Sequence, residues 1–310
     1  MKDIVIVGGG PAGLTAALYA ARAGKSASVY EKANPGGQIL FSPMVENYPG
    51  MPHMSGENFA AQLVQQVKRL GVEIIPEEVT DLRESGDGYL VTGETGELLC
   101  RAVILATGVV HRQLGLPGEE DLAGCGISYC AVCDGAFYKD LPVAVVGGGD
   151  TALQDAVFLA STSSHVTLIH RRDSFRGEQN MVRRVLENPK ITVLYSHVVE
   201  RFLEEDYILK GIEVKDLKTG EIKPLDVEGV FLAVGQKPCS EAFQKLVDVD
   251  ESGYYYAGED ALTNRPGIFA AGDARIKAVR QLTTAVGDGA AAAVAACQYL
   301  DFTYENADQK

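Results

Sequence analysis

The sequence is short of positive charge. Lysine and arginine total 28 against 42 aspartates and glutamates, a formal net charge of −14 over 310 residues. Nucleic-acid binding relies on clustered basic side chains to neutralise phosphates, so this balance argues against a nucleic-acid partner. Long apolar runs are also missing. The most apolar extended stretch, residues 289–297, falls far short of the ~20 residues a membrane helix needs. Met1-Lys2-Asp3 passes at once into Ile4-Val5-Ile6-Val7, without the basic region and apolar run of a secretory signal. A cytoplasmic location with no membrane contact is expected. Metal chemistry lacks its ligands too, because Cys100, Cys125, Cys239 and Cys297 are single and scattered, with no second Cys-x-x-Cys or paired histidines.

The chain does contain one close pair of thiols, in Cys130-Ala131-Val132-Cys133-Asp134. A cysteine reacts as thiolate, and an unperturbed thiol with a pKa near ~8.5 is only a few per cent ionised at neutral pH. A Cys-x-x-Cys pair lowers the pKa of one thiol and opens its disulfide by exchange with an incoming thiolate. Six cysteines without an export signal fit thiols plus one redox pair better than a disulfide framework. The length predicts about two domains. Hydrophobic content of 46% and charged content of 23% are ordinary for a globular protein, and 34 glycines point to tight turns or phosphate loops.

The first unit opens with an apolar strand over residues 4–7, then Gly8-Gly9-Gly10-Pro11-Ala12-Gly13, then an alanine-rich helix to about Ala23. Gly8, Gly10 and Gly13 fit Gly-x-Gly-x-x-Gly, which permits a tight turn, backbone approach to a pyrophosphate and close helix-on-strand packing at a helix N-terminus. A second strand over residues 26–30 ends in Glu31, 18 residues beyond Gly13, where a carboxylate can take ribose hydroxyls. Pro35-Gly36-Gly37-Gln38 and Glu46-Asn47-Tyr48-Pro49-Gly50 read as loops. A helix over 57–70 follows, with strands at 72–75, 89–92 and 103–105, the last ending in Ala106-Thr107-Gly108. That ending suits either cofactor approach or a packing turn.

The chain then repeats itself. Val143-Ala144-Val145-Val146-Gly147-Gly148-Gly149-Asp150-Thr151-Ala152 restates residues 4–13 at an offset of 139 and again opens a helix, over 151–160. Two Rossmann-like dinucleotide-binding α/β units are therefore expected. The same offset sets His170 against Glu31, at the end of a strand over 166–169, and His170-Arg171-Arg172-Asp173-Ser174-Phe175-Arg176 follows. A carboxylate suits a free 2′-hydroxyl, whereas arginines suit a 2′-phosphate. The two copies should bind different nucleotides.

Further on, a helix is expected over 178–186 and strands over 191–195, 207–214 and 229–234, the last running into Gly235. Tyr254-Tyr255-Tyr256 reads as a strand, and the chain closes with Gly272-Asp273, Arg280-Gln281 and a small-residue helix to about Tyr299. The tail from Asn306 is expected to be disordered. Asp248-x-Asp250-x-Ser252-Gly253 with Glu259 matches part of a calcium-loop spacing. That loop needs flanking helices, and residues 247–249 and 254–256 read instead as hairpin strands with glycine at the turn.

Taken together, these motifs make the chain resemble the low-molecular-weight, bacterial-type thioredoxin reductases over essentially its whole length. The resemblance implies FAD in the first repeat, NADPH in the second, thioredoxin or a similar redoxin as partner, and a homodimer. It implies an FAD domain of residues 1–113 plus 243–310, with an NADPH domain, 114–242, inserted and carrying the redox pair. FAD contacts are implied at Gly8, Gly10, Pro11, Ala12, Gly13, Glu31, Lys32, Gly36, Gly37, Gln38, Asn47, Val79, Ala106, Thr107, Gly108, Gly272, Asp273, Arg280, Gln281 and Leu282. NADPH contacts are implied at Gly147, Gly149, Asp150, Thr151, Ala152, His170, Arg171, Arg172, Arg176 and Gly235. By the same carry-over, a Cys130–Cys133 disulfide takes electrons from the flavin, with Cys133 nearer the flavin, Cys130 attacking the external disulfide and Asp134 as the acid. Asp150 stands where asparagine is also common, and Cys125 is additional.

The rival readings are a same-fold reductase serving a glutaredoxin-like or peroxide-reducing partner, and a flavin-binding protein with structural cysteines. Cys133 lies only 10 positions before Val143, so the dithiol travels with the second repeat. If nicotinamide and disulfide share one flavin face, they must alternate, and rotation about residues 112–116 and 238–243 is expected.

Overall fold

The computed structural model describes residues 1–51 and 53–305. It divides the chain into two units, one formed by Met1–Val110 with the chain from Lys237 onward, the other by His111–Gln236. The expectation for the tail from Asn306 lies outside the described residues.

The first unit is built on the strand Lys2–Val7, whose Ile4, Val5 and Ile6 are fully buried. A run apolar on both faces suits the middle of a parallel sheet covered on both sides. It pairs in parallel with Ala27–Tyr30 on one side and Glu97–Leu105 on the other, and Glu73–Ile75 extends the sheet beyond Ala27–Tyr30. Glu97–Leu105 is nine residues long, and residues 103–105 are only its end. Its first half pairs antiparallel with Gly88–Thr92, while its second half pairs in parallel with Ile268–Ala270. Glu97 and Arg101 break the apolar run at the sequence level, which explains why the shorter strand was expected.

The helix Pro11–Arg22 starts with proline at its first position, where a missing N–H costs nothing. The closing helix, Leu282–Leu300, buries Ala285, Ala292, Ala293 and Ala296. A Cβ at Gly289 would stand 2.1 Å from the carbonyl oxygen of Ala12, so these two helices meet backbone to backbone. The small residues are there for that approach.

Residues 254–256 do not form the expected strand. Only Tyr255 pairs, through single bridges to Val249 and Arg275. Asp250 Oδ1 instead accepts from the N–H groups of Ser252 and Tyr254, at 2.9 and 2.8 Å, and Gly253 has φ +92°. The carboxylate that suggested a calcium ligand is used to close its own turn.

The second unit has a parallel sheet in the order Ile191–Tyr195, His165–His170, Pro142–Gly147, Gly229–Ala233, Ile127–Ser128. Its strand order reverses beside Pro142–Gly147, and such a switch point opens a crevice at the carboxyl ends of the strands. An antiparallel sheet of His197–Glu205, Ile208–Asp216 and Ile222–Leu225 adjoins it in sequence. Only the middle strand was anticipated, because adjacent charges at Glu200-Arg201 and Glu204-Glu205 interrupt the first and the third is four residues long with a proline. Glu119, 2% exposed, accepts from the N–H groups of Leu114, Gly115 and Leu116, which ties down that loop.

Candidate active site

Cys130 and Cys133 form a disulfide, with Cα atoms 5.3 Å apart. They bracket the start of a one-turn helix, Ala131–Asp134, in which Cys130 is the N-cap and its Sγ accepts from the N–H of Cys133 at 3.2 Å. Ala131 is buried and Val132 is 54% exposed, so the turn is anchored on one side and open on the other. Asp134 follows directly. Its Oδ2 accepts from Ser128 Oγ at 2.6 Å, while its Oδ1 is buried without a partner among the described residues. Burial pushes the Asp134 pKa up, and the Ser128 hydrogen bond pulls against that shift. A carboxyl so placed can hold a proton one residue from Cys133 in sequence. Cys125 is exposed and free, and the buried Cys100 has its pKa pushed up to about 12 by burial.

The first glycine turn gives each glycine a separate task. A Cβ on Gly8, which has φ +106°, would lie 2.2 Å from the carbonyl oxygen of Ala106, and one on Gly13 would lie 1.8 Å from that of Gly8. Both positions are closed to side chains by backbone. Gly10 has nothing within 4 Å of its Cβ position, so its backbone faces open space at the mouth of the turn. Glu31 accepts from Gly9 N–H at 2.6 Å and from Ala33 N–H at 2.8 Å, which fixes its carboxylate beside the turn.

The loop of Gly36 and Gly37 packs on this turn, with Gly36 N–H donating to Gly9 O and the Gly37 Cβ position 3.2 Å from Gly10 Cα. Gln38 lies in the 3-10 turn Gly37–Phe41, Lys32 pairs with Glu78 at 2.9 Å, and Val79 is buried. Thr107 Oγ1 lies 3.5 Å from the Tyr255 hydroxyl, and Gly108 O accepts from Cys239 N–H.

Asp273 lies in the turn Gly272–Ala274, with Oδ1 buried and unpartnered among the described residues and its pKa pushed up by burial. Arg280 donates from Nε to the Asp273 carbonyl and covers the Tyr254 ring at 4.4 Å. Asn47 donates to Gln281 Oε1 at 3.1 Å, and Gln281 caps the helix that Leu282 begins. Sequence reasoning missed Asp288. Its carboxylate accepts from Arg275 Nε and Nη2, Lys277 Nζ and the N–H of Gly272, all within 3.0 Å. The available signal was a lone carboxylate within a helix of small apolar residues.

The second turn repeats this plan. A Cβ on Gly147 would stand 2.5 Å from Ala233 O and 2.7 Å from Ala152 Cβ, whereas Gly149 is open. Asp150 Oδ1 accepts from Glu178 N–H at 2.6 Å, and the exposed Thr151 lies beside it in the first turn of the helix Asp150–Leu159. His170 is buried, with Nε2 3.0 Å from Ser174 O, and a Cβ at Gly148 would meet its ring at 2.1 Å. Arg176 N–H donates to Gly148 O, and Arg172 O accepts from Ser196 N–H. Backbone bonds thus hold the loop while the side chains of Arg171, Arg172 and Arg176 lie exposed. A cleft of about 1040 Å³ opens there, lined among others by Asp173, Phe175, Arg183 and Tyr195. Gly235, at φ +109°, accepts from Arg112 N–H at 3.0 Å.

Two glycine turns of one design, each at the end of a parallel strand, together with a disulfide flanked by a buried carboxyl, define a nucleotide-dependent disulfide oxidoreductase. The chain belongs to the pyridine nucleotide-disulphide oxidoreductase family, whose model matches residues 2–289. It is 39% identical over 299 residues to thioredoxin reductase of Listeria innocua, covering 96% of this chain and 94% of that protein. Thioredoxin reductase of Bacillus subtilis is 38% identical, with 96% and 95% covered. The crystal structure of thioredoxin reductase from Streptococcus pyogenes superposes with a TM-score of 0.94 at 40% identity, covering 97% of this chain and 99% of that one. The chain is thus an oxidoreductase of the thioredoxin reductase type and a pyridine-nucleotide-dependent flavoprotein. Among the described residues, no helix is long and apolar enough to cross a membrane.

Proposed function

We propose that the protein is an FAD-containing reductase that takes electrons from NADPH, passes them to the Cys130–Cys133 disulfide and delivers them to the disulfide of thioredoxin, acting as a homodimer in the cytoplasm. The observation that carries this reading is the pairing of one turn design with two different ribose ends. Glu31 is fixed by Gly9 and Ala33, and three exposed arginines follow His170.

The residues fit the implied cofactors. Gly10 and Gly149 leave cradles that a side chain would fill, and Asp273 Oδ1 is a buried acceptor that lacks a donor among the described residues. Residues 8–13, 31, 36–38 and 272–273 would hold FAD, and Gly147, Gly149 and the arginines would hold NADPH. When bound, FAD supplies a two-electron acceptor for nicotinamide hydride that can return the pair to a disulfide. The chain's own contribution is to present Cys130 on an open turn, to hold Asp134 as a proton source, and to exclude the wrong ribose at each turn by charge.

Turn and disulfide both belong to the second unit, so we further propose that this unit rotates to present each in turn. Glu119 ties down residues 114–116 and the units meet in sequence at 110–111 and 236–237, which supports pivots at those junctions in place of the expected 112–116 and 238–243. A cross-link that locks the two units should stop turnover of a protein disulfide.

The purified protein should be yellow, bleach with NADPH, and reoxidise on addition of oxidised thioredoxin. A panel containing thioredoxin, a glutaredoxin-like protein and a peroxide-reducing partner tests the choice of substrate. Reoxidation by either of the others but not by thioredoxin would overturn the assignment.

A further inference from the structure

Ser128 touches both halves of the redox centre. Its Oγ donates to Asp134 Oδ2 at 2.6 Å, accepts from the N–H of Cys130 at 3.1 Å, and stands 3.4 Å from the Cys130 carbonyl oxygen. Ser128 is 4% exposed and ends a parallel strand in which it pairs with Phe231, so the sheet sets its position. It is the only hydrogen-bond partner of the Asp134 carboxyl among the described residues. A hydroxyl has one proton to give and two lone pairs to accept with. When Asp134 is ionised, that proton goes to the carboxylate. When Asp134 is protonated, the acid donates to Oγ and the hydroxyl proton can turn to the Cys130 carbonyl.

We propose that Ser128 is the positioning residue for proton transfer at the disulfide, fixing the Asp134 carboxyl relative to Cys130 and reversing its own hydrogen bond each time that carboxyl gains or loses its proton. This rests on the reading of Asp134 as the acid. In the exchange, the Cys130 thiolate bonds to one sulfur of the external disulfide, the external S–S bond breaks, and the departing sulfur takes the Asp134 proton. The Cys133 thiol then passes its proton to Asp134 and attacks Cys130 Sγ, re-forming the internal disulfide. The second external sulfur leaves with that proton. Two electrons and two protons move from the enzyme to two external thiols, and Ser128 reverses its bond at each change of Asp134.

Other titrating groups lie on the neighbouring elements. The 3-10 turn Gly135–Tyr138 carries Tyr138, whose hydroxyl pKa is pushed up to about 12 by burial and, less, by the charges of Asp134 and Cys125. The helix Asp150–Leu159 carries Asp150, bound to Glu178 N–H, and Asp155, pushed up to about 6 by burial.

The test uses the holoenzyme with Asp155→Asn as background, to remove another carboxyl that burial pushes up, and adds Ser128→Ala, Ser128→Thr or Asp134→Asn. Two quantities are measured: the single-turnover rate of thioredoxin disulfide reduction by prereduced enzyme, and the infrared titration of the carboxyl band that Asp134→Asn abolishes. Ser128→Ala should slow the turnover about tenfold, the worth of one hydrogen bond in the transition state. It should also move the infrared midpoint to higher pH, because a bond that favours the carboxylate is lost. Ser128→Thr should restore both. A slow Ser128→Ala protein whose midpoint stays in place would make Ser128 merely structural and overturn the proposal, as would unchanged values of both. If Asp134→Asn itself reduces thioredoxin at full rate, the reading of Asp134 falls and the proposal falls with it.

Discussion

The two glycine turns share a backbone and differ in what surrounds it. In the first, the third glycine is forced, because a Cβ on Gly13 would strike the carbonyl of Gly8. In the second, the equivalent position is Ala152, whose methyl fills the space that Gly147 leaves. At the ribose end, Glu31 is a fixed carboxylate tied to two backbone amides. His170 is buried instead, and the bond at its Nε2 shapes the loop from which the arginines project. The positive side chains of the second copy therefore lie beyond the aligned position, at Arg171, Arg172 and Arg176. Matching the repeats position by position finds where to look but not which residue acts.

The two turns should part most completely at their open glycines. Gly10→Val should leave a folded, colourless protein, since a Cβ there has no protein atom within 4 Å while the side chain blocks the mouth of the turn. Gly149→Val should stay yellow but no longer bleach with NADPH. Circular dichroism and visible absorbance separate the two. A Gly10→Val protein with full flavin absorbance would remove the first turn from flavin binding.

A smaller effect sharpens the difference at the ribose ends. A charge-assisted hydrogen bond is worth about 1.5–3 kcal/mol, so Arg171→Ala or Arg176→Ala should weaken NADPH roughly 10- to 100-fold. NADH should be nearly unaffected, because it lacks the 2′-phosphate. Titration of each nucleotide against each variant measures this. Equal weakening of both would show that the arginines hold the loop rather than the phosphate.

The parts legible in the sequence were those whose physics is local. Glycine turns, the apolar strands beside them and the two-residue spacing of the thiols each write their constraint within a few positions. Glu97–Leu105 was half legible because its solvent-facing residues are charged, and residues 254–256 were read as strand because three tyrosines favour extended backbone. Ser128 with Asp134, and Asp288 with Arg275, were not legible as pairs. Six or more positions separate the partners, and only the folded chain brings them together. The buried Asp288 pair also has a reason that sequence does not carry: it ties the N–H of Gly272, and so the turn of Asp273, to the closing helix.

The smallest expected effect concerns the helices behind the turns. At the repeat offset, Ala16 is fully buried where the second copy has Asp155, half-buried and pushed up to about 6 by burial alone. A carboxyl that binds its proton more tightly folded than unfolded favours folding at low pH, and that advantage is lost as pH rises from the ordinary carboxylate range through about 6. At neutral pH the ionised Asp155 therefore costs on the order of 3 kcal/mol. Asp155→Asn should unfold several degrees higher than the native chain at pH 7, since ~1 kcal/mol shifts the unfolding of a unit of this size by roughly 4 °C. The gap should narrow steadily as pH is lowered toward 4, where the native carboxyl is protonated in the folded state. Ala16→Asp is the reciprocal change, and in a fully closed helix interface it should destabilise the first unit. Thermal unfolding across that pH range reads both, and a gap for Asp155→Asn that does not vary with pH would show that Asp155 is not ionising against its surroundings.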